Sequence, residues 1–177
     1  MDKNDGVAGQ QQTAQPSMDS ELTTEATNTG SMGHAWGLCQ RPCIFQLNGF
    51  CAKGEDCGFC HLGHHDRVPK LDKQQRSLLH QMSAGELLTL VIGPLKAKVA
   101  ELGLEEPARE LLELLEMERA SQRSCTAKKH PKLPCIRKTM TRMSIAGLIG
   151  VAGHSQTGAE FRAKLLAAVD QLRRQLH

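Results

Sequence analysis

Three cysteines and a histidine fall at the spacing Cys43-x7-Cys51-x5-Cys57-x3-His61, and nothing else in these 177 residues narrows so sharply what the chain can fold into. Thiolates and a neutral imidazole are the ligands that Zn²⁺ prefers, and four of them close a tetrahedral structural site. Gly49 and Gly54 lie inside the two ligand loops, where the chain must reverse and a positive φ is expected. The last gap is about one helical turn, which predicts the Cys57 sulfur and the His61 ring on one side. A different set is also open: Cys39-x3-Cys43 with Cys57-x2-Cys60 spells an all-cysteine ribbon that leaves Cys51 and His61 free. In the first reading Cys39 and Cys60 are spare or supporting thiols, and His64 or His65 can stand in for His61.

The stretch resembles the CCCH class of zinc finger, many of whose members bind RNA. Members of that class read Cys-x7-9-Cys-x4-6-Cys-x3-His, with one aromatic soon after the first Cys and another two before the His. Phe45 and Phe59 occupy those places here, and all four ligands match. The resemblance covers residues 39–65, roughly a tenth to a sixth of the chain. It implies one structural Zn²⁺ and a surface for single-stranded RNA, with Phe45, Phe50 and Phe59 stacking on bases and Arg41 and Lys53 contacting phosphates or carbonyl edges. In the miniature finger at least one of the three Phe is expected to form a small core. Two places depart from the best-known RNA-binding members. Lys53 stands where they carry an aromatic, and His34-Ala-Trp-Gly-Leu-Cys39 replaces their basic-aromatic lead-in.

Charge divides the chain. The net charge of +3 is built from −4 over residues 1–33, +1 over 34–70, −3 over 71–120 and +9 over 121–177. The basic character therefore lies at the C-terminal end rather than in the finger, and it suits an anionic partner, of which nucleic acid is the commonest. Residues 1–33 are rich in Gln, Thr, Ser and Gly and nearly free of large apolar side chains, so a disordered tail is expected there. Cysteines clustered beside histidine, without an apolar N-terminal leader, predict intracellular metal binding, with nucleus and cytoplasm left open. No run approaches the ~18 apolar residues of a membrane span.

After a finger unit at 34–66, the expected fold is mainly α. A helical hairpin is predicted over 70–120, with a short helix near Lys73–Met82 ahead of it. Ser83-Ala-Gly-Glu86 spells a capping box. Leu88, Val91, Leu95, Val99 and Leu102 then form one stripe, and Gly93-Pro94 predicts a kink or break. Gly103 predicts the stop and Pro107 the start of a second helix carrying Leu111, Leu112, Leu114 and Leu115. Residues 121–142 read as a basic linker in which Lys128, Lys129 and Lys132 add phosphate contacts. Residues 143–177 form a C-terminal segment. Its glycines weaken a brief helix at 143–153, and Thr157-Gly-Ala-Glu160 predicts a second capping box. An amphipathic helix with Phe161, Leu165, Val169, Leu172 and Leu176 follows.

No nucleophile elbow, phosphate loop or His-Glu-x-x-His motif is present, and the chain is expected not to be an enzyme. Two functions fit: a single CCCH finger binding single-stranded RNA with help from the basic linker, or a protein-interaction adaptor. In the adaptor the finger is structural, and the helices within residues 83–119 dock a partner.

Overall fold

Short polar turns fold around the cysteines, and amphipathic helices fold around each other. A computed structural model describes residues 28–64, 69–122, 131–154 and 156–176. In the segment that the sequence reads as a finger, α1 (Ile44–Leu47) is a single turn, and a 3₁₀ turn covers Gly54–Asp56. The rest is helical: α2 (Lys73–His80), α3 (Ala84–Glu101), α4 (Arg109–Ser121), α5 (Leu133–Met140), α6 (Ile145–Ala152) and α7 (Ala159–Gln175). The described residues contain no strand, only an isolated bridge between Pro42 and Cys60.

Helix α3 is the centre. It starts at the predicted capping box: the Glu86 N–H donates to the Ser83 hydroxyl at 3.3 Å, and the Ser83 N–H donates to the Glu86 carboxylate at 2.9 Å. Leu88, Val91, Leu95 and Val99 are buried as the stripe requires, joined by Leu87, Leu90 and Ile92. The helix packs against α4, α5 and α6, and α4 packs against α7. Gly103, at φ 65°, follows the last turn and reverses the chain into α4. The predicted break at Pro94 does not occur, because buried residues on both sides of it hold α3 continuous. Pro94 forfeits one backbone hydrogen bond, a smaller loss than exposing that face.

Three further expectations are corrected. Residues 131–142, read as linker, contain α5, with Pro134 at the start of the helix and Ile136 and Met140 buried. Proline is tolerated in a first turn, where its missing N–H has no partner to lose. The linker's Lys128 and Lys129 lie outside the described residues, while Lys132 is the N-cap of α5. The glycines of 143–153 do not prevent α6, since Ile145, Leu148, Ile149, Val151 and Ala152 are all buried. The second capping box is absent. Thr157 is buried, and its hydroxyl donates backward to the carbonyl oxygens of Ala152 at 3.2 Å and His154 at 2.7 Å, leaving Gly158 to precede α7. The stripe of α7 is buried at Phe161, Leu165, Val169 and Leu172.

The end of the predicted tail, residues 28–33, is structured. Asn28, Gly30 and Ser31 are packed against the finger; residues 1–27 lie outside the described residues. Beyond them, residues 33–38 reach the helices. Leu38 is fully buried in the helical core, its carbonyl accepts from Arg173 Nε at 2.8 Å, and the Gly37 carbonyl accepts from the Ala146 N–H at 3.0 Å. No helix among the described residues is long and apolar enough to cross a membrane.

Candidate metal centre

Cys43, Cys51, Cys57 and His61 converge: one ligand atom from each lies within 4.8 Å of all the others. The chain brings them together through its glycines. Gly49 at φ 101° and Gly54 at φ 48° turn the two ligand loops in a region that side chains disfavour. The last gap is not a helical turn, as the spacing had suggested. Residues 57–61 bend irregularly and are held by the parallel bridge, in which the Cys43 N–H donates to the Cys60 carbonyl at 2.8 Å and the Cys60 N–H to that of Arg41 at 2.9 Å.

The chemistry of this pocket fits a metal ion. The sulfurs of Cys43 and Cys57 are 3.8 Å apart. Two Zn–S bonds of about 2.3 Å at the tetrahedral angle set their sulfurs about 3.8 Å apart. All three cysteines are buried. The Nε2 of His61 is buried with no hydrogen-bond partner among the described residues, a costly state for a polar atom unless something binds it. The Cys43 thiol is drawn down to about 7, chiefly by the hydrogen bond from the Gln46 backbone N–H, against the opposing effect of burial. A substantial thiolate fraction is therefore available near neutral pH.

A buttress missed in the sequence lies behind this loop. Asn28 Nδ2 donates to the carbonyls of Cys57 at 2.6 Å and Phe59 at 2.7 Å, the Gly30 N–H donates to Cys57 O at 2.9 Å, and the His61 N–H donates to the Ser31 hydroxyl at 3.0 Å. The Ser31 hydroxyl is also hydrogen-bonded to the Asn28 side-chain carbonyl. Gly30 sits so close to the backbone of Phe59 that an added Cβ would collide with it. Backbone cannot swing aside as a side chain can, so Gly30→Ala is expected to cost about 1–3 kcal/mol. The measurement is competition with a chromophoric chelator, in which the variant should release metal at least several-fold more readily than wild type; unchanged retention would show that the buttress does not support the ligands.

The other predicted positions separate. Phe45, Phe50 and Phe59 are 62 %, 77 % and 53 % exposed, so none forms the expected small core. The finger's interior is instead the cluster of Cys43, Cys51 and Cys57. Arg41 and Lys53 are exposed beside it. The all-cysteine set is divided between two places: Cys43 and Cys57 stay with Cys51 and His61, while Cys39 and Cys60 gather with His34 and His64. His64 is thus no stand-in for His61, and His65 lies outside the described residues. The Cys60 thiol is held down at about 4, first by the neighbouring Cys39 thiol, and the same neighbour, then burial, raises Cys39. Cys60-x3-His64 repeats the Cys57-x3-His61 spacing three residues later, a signal legible in the sequence.

Comparisons with models of protein families, with curated proteins and with solved structures find no match for this chain.

Proposed function

We propose that this chain is a non-catalytic CCCH-type zinc-finger protein that holds Zn²⁺ through Cys43, Cys51, Cys57 and His61 and binds single-stranded RNA through the finger. The observation that carries this reading is the outward exposure of Phe45, Phe50 and Phe59 from a unit whose ligands are buried. Water-facing phenyl rings on a rigid turn offer flat apolar faces, and bases of any identity stack on such faces. The Phe50 N–H donates to the Phe45 carbonyl at 3.2 Å, which fixes the backbones of those two positions side by side. The exposed cations Arg41 and Lys53 supply local charge, and the C-terminal excess of Lys and Arg supplies the long-range attraction.

A protein partner is the second reading, and a separate observation favours it. Ile44 and Leu47, on the same single turn as Phe45, are 64 % and 71 % exposed. Aliphatic side chains contribute little to stacking but suit a protein groove, and Glu55 and Asp56 would repel a phosphate backbone. The stripes of α3 and α4 within residues 83–119 are spent largely inside the molecule, so a partner would meet the finger rather than those stripes.

Titration of the zinc-loaded protein with a random single-stranded RNA pool separates the two. Phe45→Ala and Phe59→Ala should each weaken binding by about 1–3 kcal/mol with zinc retained. Neutralising Lys128, Lys129 and Lys132 should lower affinity for all sequences alike and flatten the salt dependence, because such charges release counterions without reading bases. Absence of binding at low salt with zinc present, or binding indifferent to both sets of changes, removes the RNA reading and leaves the adaptor.

A further inference from the structure

We propose that the chain binds a second Zn²⁺, held by His34, Cys39, Cys60 and His64, and that this ion fastens the finger to the helical body. One ligand atom from each of these residues lies within 4.8 Å of all the others. His34 Nδ1 is 3.3 Å from Cys60 Sγ, and Cys39 Sγ is 3.9 Å from His64 Nε2. Zinc bonds of about 2.3 Å to sulfur and 2.0–2.1 Å to nitrogen, set at the tetrahedral angle, separate the two donors by about 3.5 Å. The two observed separations bracket that edge. The rings of His34 and His64 meet edge to face with centroids 4.9 Å apart, so both imidazoles lie at one place, half-buried at His34 and exposed at His64. Two thiolates and two imidazoles form a donor set that selects zinc over the hard cations, which take oxygen ligands.

The backbone explains how one short finger serves two ions. Cys60, at the bridge to Pro42, and His61 are consecutive, and their side chains join different clusters. His61 turns to Cys43, Cys51 and Cys57, while Cys60 turns to Cys39. The second set draws His34 and Cys39 from the lead-in and Cys60 and His64 from the end of the finger. Between His34 and Cys39 lie Gly37 and Leu38, which are bonded to Ala146 and Arg173 and, for Leu38, buried among the helices. An ion here closes a loop from the helical core to the ligand loop. The role is structural, since four protein ligands leave no open coordination position.

Metal counting on the purified full chain tests this without relying on any variant. Two equivalents of zinc per chain are expected by elemental analysis. X-ray absorption at the zinc edge should fit five sulfurs and three nitrogens shared by two ions. Cys39→Ser and His34→Ala should each fall to one equivalent, and the remaining ion, replaced by cobalt, should show the three-thiolate spectrum of the Cys43 set. Cys51→Ser should likewise lose one ion, but leave a two-thiolate cobalt spectrum. A single equivalent in the wild-type chain, with an average of three sulfurs and one nitrogen, overturns the proposal. So does a Cys39→Ser chain that keeps the full wild-type complement. Failure of the first site alone would appear as loss of the three-thiolate spectrum with the two-thiolate one retained.

Discussion

Cys51→Ser is expected to release the ion of the Cys43 set and to unfold the two ligand loops between Cys43 and Cys57, among the largest effects a single substitution should have on this chain. The reason is the finger's lack of an apolar interior. Its three Phe face water, and what it buries is Cys43, Cys51 and Cys57 themselves. Structural zinc in finger peptides contributes about 10–16 kcal/mol at neutral pH, and in such a unit that binding energy is the folding energy. Serine keeps the size of cysteine, but its hydroxyl is not ionised near neutral pH and is a poor ligand. The number of zinc equivalents lost, together with proteolysis within residues 44–56, measures the outcome. Full retention of zinc by Cys51→Ser, with loss on Cys43→Ser, would show that the ion sits on another set. The far-UV helical signal should survive the loss, because the helical core is drawn almost wholly from α2 to α7.

The gathering of Cys43, Cys51, Cys57 and His61 was legible because metal chemistry fixes residue type and spacing together, and the loop glycines repeat the message through their positive φ. Helices α3, α4 and α7 were legible because an amphipathic stripe records burial in the residues themselves. Helix α5 was not. Its apolar positions Leu133, Ile136 and Met140 do follow a 3-and-4 spacing, but Pro134 and four nearby cations disguised a helix start as a linker. Thr157 misled for a related reason: a hydroxyl three residues before a Glu looks like a cap, and only tertiary burial turns it backward to Ala152 and His154. The gathering of His34 with Cys60 and the docking of Leu38 against α7 were harder still. The contact between Leu38 and Arg173 joins residues 135 apart, and a contact at that distance leaves no periodic trace.

That docking has a measurable consequence. Read from the sequence, finger and helices are independent units, and a substitution before Cys43 should leave the helices untouched. In the structure Leu38 is fully buried within the helical cluster, with Trp36 packed at its edge. Leu38→Ala removes three buried carbon atoms from that cluster, and the cavity cannot close easily. The Gly37 and Leu38 carbonyls are held by the Ala146 N–H at 3.0 Å and by Arg173 at 2.8 Å, so the lead-in backbone is fixed where it is. Buried Leu→Ala changes cost about 2–5 kcal/mol, the larger values where relaxation is prevented. The unfolding free energy read from the helical far-UV transition in urea should therefore fall by an amount in that range, with a lower midpoint and with zinc present throughout. Phe50→Ala is the control. Phe50 is 77 % exposed and belongs to the finger alone, so its removal should leave the helical transition within ~0.5 kcal/mol of wild type. A Leu38→Ala chain whose helices unfold at the wild-type urea concentration would return the finger to the independent unit its sequence suggests. A shift with Leu38→Ala and none with Phe50→Ala makes residues 33–38 part of the helical core, and makes the segment that carries the Cys43 cluster a unit held by that core.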